Sequence, residues 1–78
     1  MISAEVAIYP LKTQNASGVI NSSINMLKDT NVNYSVNSTN TKLTGSKEEV
    51  FQSLQSMFDE AESRGGEINM VVTLSNSN

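Results

Sequence analysis

The side chains in this sequence that could do chemistry are almost all neutral. Cysteine and histidine are both absent, which removes disulfides and zinc–thiolate sites together with the commonest metal ligand and general base. What remains is densest between Asp29 and Ser46, DTNVNYSVNSTNTKLTGS, a tract of amides and hydroxyls. Groups of this kind on or beside a sheet must be solvated, paired with a neighbouring chain or aimed at a ligand. Strand parity turns Ser38, Thr39 and Thr41 toward the helix-covered side, with Leu43 as neighbouring core. Tyr34 is a wall there, or plain core with its hydroxyl at the surface. Ser17 and Asn21 precede Ile20 and Ile24 by one turn and flank the apolar stripe of a first helix. These residues outline a pocket between helix one and strands two and three. Asn37 and Asn40 point to the opposite face unless a bulge reverses the register, and they stay on the list of ligand candidates.

The charged residues suggest no second chemistry. Glu48, Glu49, Asp59, Glu60 and Glu62 flank the apolar stripe of one helix and read as its solvated face, not as converging metal ligands. Lys12, Lys28, Lys42 and Lys47 are isolated, no serine sits beside a base, and Arg64, the one arginine, closes a helix instead of serving a phosphate loop. Glu5 and Glu67 read as solvated charges at sheet edges. A non-catalytic protein is expected, with no metal and no cofactor. The net charge of −3 disfavours a phosphate backbone, and only Tyr9 supplies an aromatic on a central strand, so nucleic acid is an unsuitable partner. No apolar run approaches the roughly 18 residues that span a bilayer. No charged, apolar leader precedes the first strand, and the expected location is cytoplasmic.

The elements that must position the pocket follow from periodicity. Ile2, Ala4, Val6 and Ile8 alternate with Ser3, Glu5, Ala7 and Tyr9, predicting a strand that Pro10 closes. Ile20, Ile24 and Leu27, widened by Val19 and Met26, predict a helix over 17–30, capped by Asn15 or Ser17 and ended by a left-handed Asn31. Val32, Tyr34 and Val36 predict a strand over 32–38, and a short one follows over 41–44. Ser46 and Glu49 form a capping box for a second helix whose stripe is Val50, Phe51, Leu54, Met57, Phe58 and Ala61, ended by Gly65 and Gly66. Ile68, Met70, Val72 and Leu74 share one face of a last strand over 67–74, before a polar tail over 75–78.

The whole chain of 78 residues is read as one domain. Its order, βαββαβ, predicts an α+β, ferredoxin-like fold, a four-stranded antiparallel sheet of order 4-1-3-2 with both helices on one face. The other face then exposes Ala7, Tyr9 and Val71, and sheet packing into a homodimer or homotetramer is expected to cover it.

The segments AEVAIYPL, KDTNVNY, SVNSTNTKLTG and KEEVFQSLQSMFDEA together resemble the small YkoF-like thiamine-binding proteins over nearly the whole chain. Pro10, Leu11, Tyr34, Thr41 and Gly45 match the family pattern, whereas Thr44 stands where relatives carry Glu and Asn40 where they carry Gly or Glu. The resemblance implies a ferredoxin-like oligomer that binds thiamine or its hydroxymethylpyrimidine part as a carrier or sensor. An aminopyrimidine has ring nitrogens that accept and an exocyclic amine that donates, which suits neutral donors and acceptors framed by apolar walls. The alternative from the residues is a structural or regulatory protein whose open sheet binds protein, with no small ligand.

Overall fold

The computed structural model describes residues 1–77. Six elements follow in order: β1 (Ile2–Pro10), α1 (Ala16–Asn25), β2 (Asn33–Val36), β3 (Thr41–Gly45), α2 (Lys47–Gly65) and β4 (Ile68–Ser75). The strands form one antiparallel sheet of order β2-β3-β1-β4. This is the expected ferredoxin-like α+β architecture, with β1 and β3 central and β2 and β4 at the edges.

Alternation in β1 places Ile2, Ala4, Val6 and Ile8 beneath the helices, where they join Val19, Leu27, Val32, Leu43, Val50, Leu54, Met57 and Ala61 in one core. A side chain such as Leu43, fully buried, contributes about 1.5–3 kcal/mol by leaving water. Ser46 caps α2 by accepting the Glu49 amide at 3.2 Å, while its hydroxyl donates to the Glu49 carboxylate at 2.9 Å. Gly66 ends that helix with φ of 76° and donates its amide to the Glu62 carbonyl at 2.9 Å.

Several boundaries differ from expectation. Asn15 alone caps α1, by accepting the Gly18 amide at 3.2 Å. The helix stops at Asn25 instead of reaching Thr30. Met26, Leu27, Lys28 and Thr30 each bond to the carbonyl three residues earlier, and this tighter winding carries Leu27 into the core while leaving Met26 exposed. Asn31 is not left-handed, since Gly66 is the only residue with positive φ among those described.

The stripe of α1 is also rotated. Val19, Ser23 and Leu27 are buried, whereas Ile20 and Ile24 are half-buried. Ser23 tolerates complete burial because its hydroxyl donates to the Ile20 carbonyl at 2.8 Å, and buried Ser53 on α2 does the same to the Glu49 carbonyl at 2.8 Å. In α2 the expected broad stripe narrows to Val50, Leu54, Met57 and Ala61, leaving Phe51 and Phe58 exposed.

β2 is shorter than 32–38. Val32 is buried just before it, against Gly45, while Asn37 and Ser38 belong to the loop. Tyr34 and Val36 pair with Leu43 and Thr41 and so face the helix side, yet both are exposed because the helices sit mainly over β1. β4 includes Ser75, which pairs with Ser3 and is therefore strand and not tail; Asn78 lies outside the described residues. Glu5 is on a central strand, opposite Lys42, and Glu67 pairs with Lys12 at 3.0 Å, so neither is a lone edge charge.

Candidate functional site

A cavity of about 230 Å³ opens between α1, the middle of β1 and the β2–β3 hairpin. Its apolar wall consists of Val6, Ile8, Ile20, Ile24, Val36 and Met57. The hairpin loop supplies Asn37, Ser38, Thr39 and Asn40, the first residue of β3 supplies Thr41, and α1 supplies Asn21 from across the opening. No ionisable side chain lines it. The volume falls just under the roughly 300–1,000 Å³ typical of ligand pockets, a size for one substituted ring and not for a large cofactor.

Local folding explains each position. Val36 and Thr41 are the last paired residues of the hairpin, and the Asn37 amide donates to the Asn40 carbonyl at 2.8 Å to close the four-residue loop. Beyond Val36 the pleat ends, so parity no longer decides where a side chain goes. Asn37 and Asn40, assigned by parity to the opposite face, therefore join Ser38, Thr39 and Thr41 at the same cavity. The side-chain amide of Asn37 donates to Asn40 Oδ1 at 3.3 Å, which leaves Asn37 Oδ1 to accept and Asn40 Nδ2 to donate to a third group. Thr41 is only 5% exposed, yet no enclosed polar side-chain atom among the described residues lacks a partner. Thr41 nonetheless lines the cavity.

Two predicted residues fall outside this group. Tyr34 faces the helix side beside Leu43 but lies one pair further from the loop than Val36, and it borders a shallow depression with Asn33, Ser35, Lys42 and Thr44. Ser17 is exposed in the first turn of α1, one turn short of the opening that Asn21 reaches. Sequence reasoning missed the apolar wall as a ligand surface. Ile20 and Ile24 were visible as helical periodicity, and only their half-burial at the cavity separates them from ordinary core.

The arrangement defines a class: a small ferredoxin-like domain with an uncharged, ring-sized cavity at the hairpin end of its sheet. A family model described as the YKOF-related family matches residues 1–78, and the chain belongs to that family. Several solved structures share the fold. Protein SP2199 from Streptococcus pneumoniae superposes with a TM-score of 0.91 at 20% identity, covering 99% of this chain and 87% of that one. Protein MJ1052 from Methanocaldococcus jannascii gives 0.89 at 18% identity, covering 99% and 80%. TM0486, a candidate thiamine biosynthesis/salvage protein from Thermotoga maritima, gives 0.85 at 16% identity, covering 97% and 83%. No curated protein sequence matches the chain.

Proposed function

We propose that this protein binds thiamine or its hydroxymethylpyrimidine moiety in the α1–hairpin cavity, without turnover, as a carrier or sensor in the cytoplasm. The observation that carries the reading is the composition of the cavity wall: neutral donors and acceptors on Asn21, Asn37, Asn40 and Thr41 around an apolar floor, with no charged group. An aminopyrimidine needs that combination, because its ring buries against aliphatic side chains while its nitrogens and amine exchange hydrogen bonds with amides and hydroxyls. Membership of the YKOF-related family and the likeness to the Thermotoga maritima protein support the vitamin as the ligand class. Ser38 and Thr39 add hydroxyls at the rim; Ser17 and Tyr34 lie beyond it and are not assigned a contact. Isothermal titration with thiamine and with hydroxymethylpyrimidine tests the proposal. Saturable heat with either ligand supports it, and silence with both from a folded sample would sink it.

A second reading has its own observation. On the uncovered sheet face Tyr9 and Val71 are 52% and 56% exposed, beside Ala7, which pairs with Val71. Sheet-on-sheet packing of a second copy would bury this semi-apolar patch, giving a homodimer or homotetramer with or without a small ligand. Tyr9→Lys should lower the assembled mass in light scattering if that packing exists.

A further inference from the structure

We infer that the cavity reads its ligand through the main chain of β1: the backbone N–H and C=O of Ile8 form a donor–acceptor edge for a cyclic amidine, a ring nitrogen beside an exocyclic amine. The inference deepens the proposed function and rests on it. It makes the amino group of the pyrimidine, and not the ring alone, the feature that the site selects.

Strand geometry fixes where the main-chain groups of β1 point. In an antiparallel ladder a residue turns its N–H and C=O to one neighbouring strand, and the next residue turns them to the other. The Leu11 amide donates to the Glu67 carbonyl at 3.0 Å, in line with the β1–β4 register of Tyr9 with Asn69 and Ala7 with Val71. Ala7 and Tyr9 therefore bond to β4, and the alternate residues turn toward β3. On that side Ile2, Ala4 and Val6 meet Gly45, Leu43 and Thr41, where the register ends. Ile8 is next in the series, and a continued register would set Thr39 opposite it. Thr39 instead lies in the loop that Asn37 and Asn40 close by bonding to each other. Among the described residues no backbone hydrogen bond joins that loop to Ile8.

Ile8 is only 8% exposed and borders the cavity. Buried backbone groups in folded proteins nearly all have a partner, so an N–H and a C=O left over by the ladder at a cavity wall require one from outside it. Ala7 also borders the cavity although its side chain faces the uncovered side of the sheet. The main chain of β1 is thus itself part of the wall.

The N–H and C=O of one strand residue lie side by side and point the same way, ready for a neighbouring strand. A 4-aminopyrimidine presents the complement: its N3 accepts from the Ile8 N–H while the adjacent amine donates to the Ile8 carbonyl. The ring takes the place of the missing strand residue, and a cavity of about 230 Å³ holds one such ring. Asn21 and the hairpin amides remain for its other substituents. The 4-oxo form of the same ring carries a proton on N3 and an acceptor at C4, so it sets donor against donor and acceptor against acceptor.

Amide hydrogen exchange and a pair of ligands test this edge on the native chain. Without ligand the Ile8 amide should exchange faster than the flanking amides of Ala7 and Tyr9, which are paired with β4. Hydroxymethylpyrimidine at about ten times its dissociation constant should slow the Ile8 amide about 10-fold. In calorimetry the 4-oxo analogue should bind about 30-fold more weakly than hydroxymethylpyrimidine, the loss of two hydrogen bonds. An Ile8 amide already slow without ligand, no slowing once hydroxymethylpyrimidine is bound, or equal affinity for the 4-oxo analogue would overturn the inference and leave ring binding standing. Silence with hydroxymethylpyrimidine itself would remove the proposed function and this edge with it.

Discussion

Asn37 and Asn40 are joined twice across the mouth of the hairpin, by the Asn37 amide on the Asn40 carbonyl at 2.8 Å and by the Asn37 side chain on Asn40 Oδ1 at 3.3 Å. This pair helps to make one wall of the cavity from two residues that strand parity sends to the uncovered face. One half of each side-chain amide stays available for a ligand, so the clamp both shapes the loop and presents a donor beside an acceptor.

Substitution at the cavity should separate binding from stability. Asn21 is exposed, and Thr41 can be replaced by valine with its shape kept. Asn21→Ala and Thr41→Val should each lower affinity for hydroxymethylpyrimidine about 2- to 13-fold, the loss of a hydrogen bond worth roughly 0.5–1.5 kcal/mol. Titration calorimetry alongside urea melts checks this; unaltered affinity in both variants would move the ligand elsewhere.

Ionic strength offers a second check on the same site. With no ionisable group on the cavity wall, affinity for neutral hydroxymethylpyrimidine should hold within about twofold between about 50 and 500 mM salt, because screening acts on charges. A steep salt dependence would point to a charged subsite that the wall lacks.

Both ends of α2 should report in stability. Ser46→Ala removes the cap on the Glu49 amide and should cost about 1 kcal/mol. Gly66→Ala forces a side chain into φ of 76° and should cost about 1–3 kcal/mol. Urea midpoints with an unchanged m-value are the measurement.

The buried face of α1 gives a size test. Ser23→Ala loses a hydroxyl that only serves its own helix and should change stability by less than about 1 kcal/mol. Ser23→Leu must push a larger side chain into a fully buried position and should cost about 1–3 kcal/mol or more. Thermal melts that rank the two variants the other way would contradict the packing described.

Period-two alternation from Ile2 to Tyr9 and from Ile68 to Leu74, the Ser46–Glu49 box and the glycines after Arg64 made the βαββαβ order and the sheet legible from sequence, because those signals are local to each element. Local signals also selected the hydroxyls and amides of the hairpin and Asn21. They could not tell which flank of α2 faces outward, since Phe51 and Phe58 satisfy helical spacing as well as Leu54 does, and only the position of β4's free edge exposes them. Nor could parity reach past Val36, where the loop bond between Asn37 and Asn40 replaces the pleat. The sequence by itself determined the elements and the uncharged chemistry. Tertiary structure decided that this chemistry converges, because α1 approaches the hairpin from across the sheet and its distance is set by packing around Val19, Ser23 and Leu27, which no short-range pattern encodes.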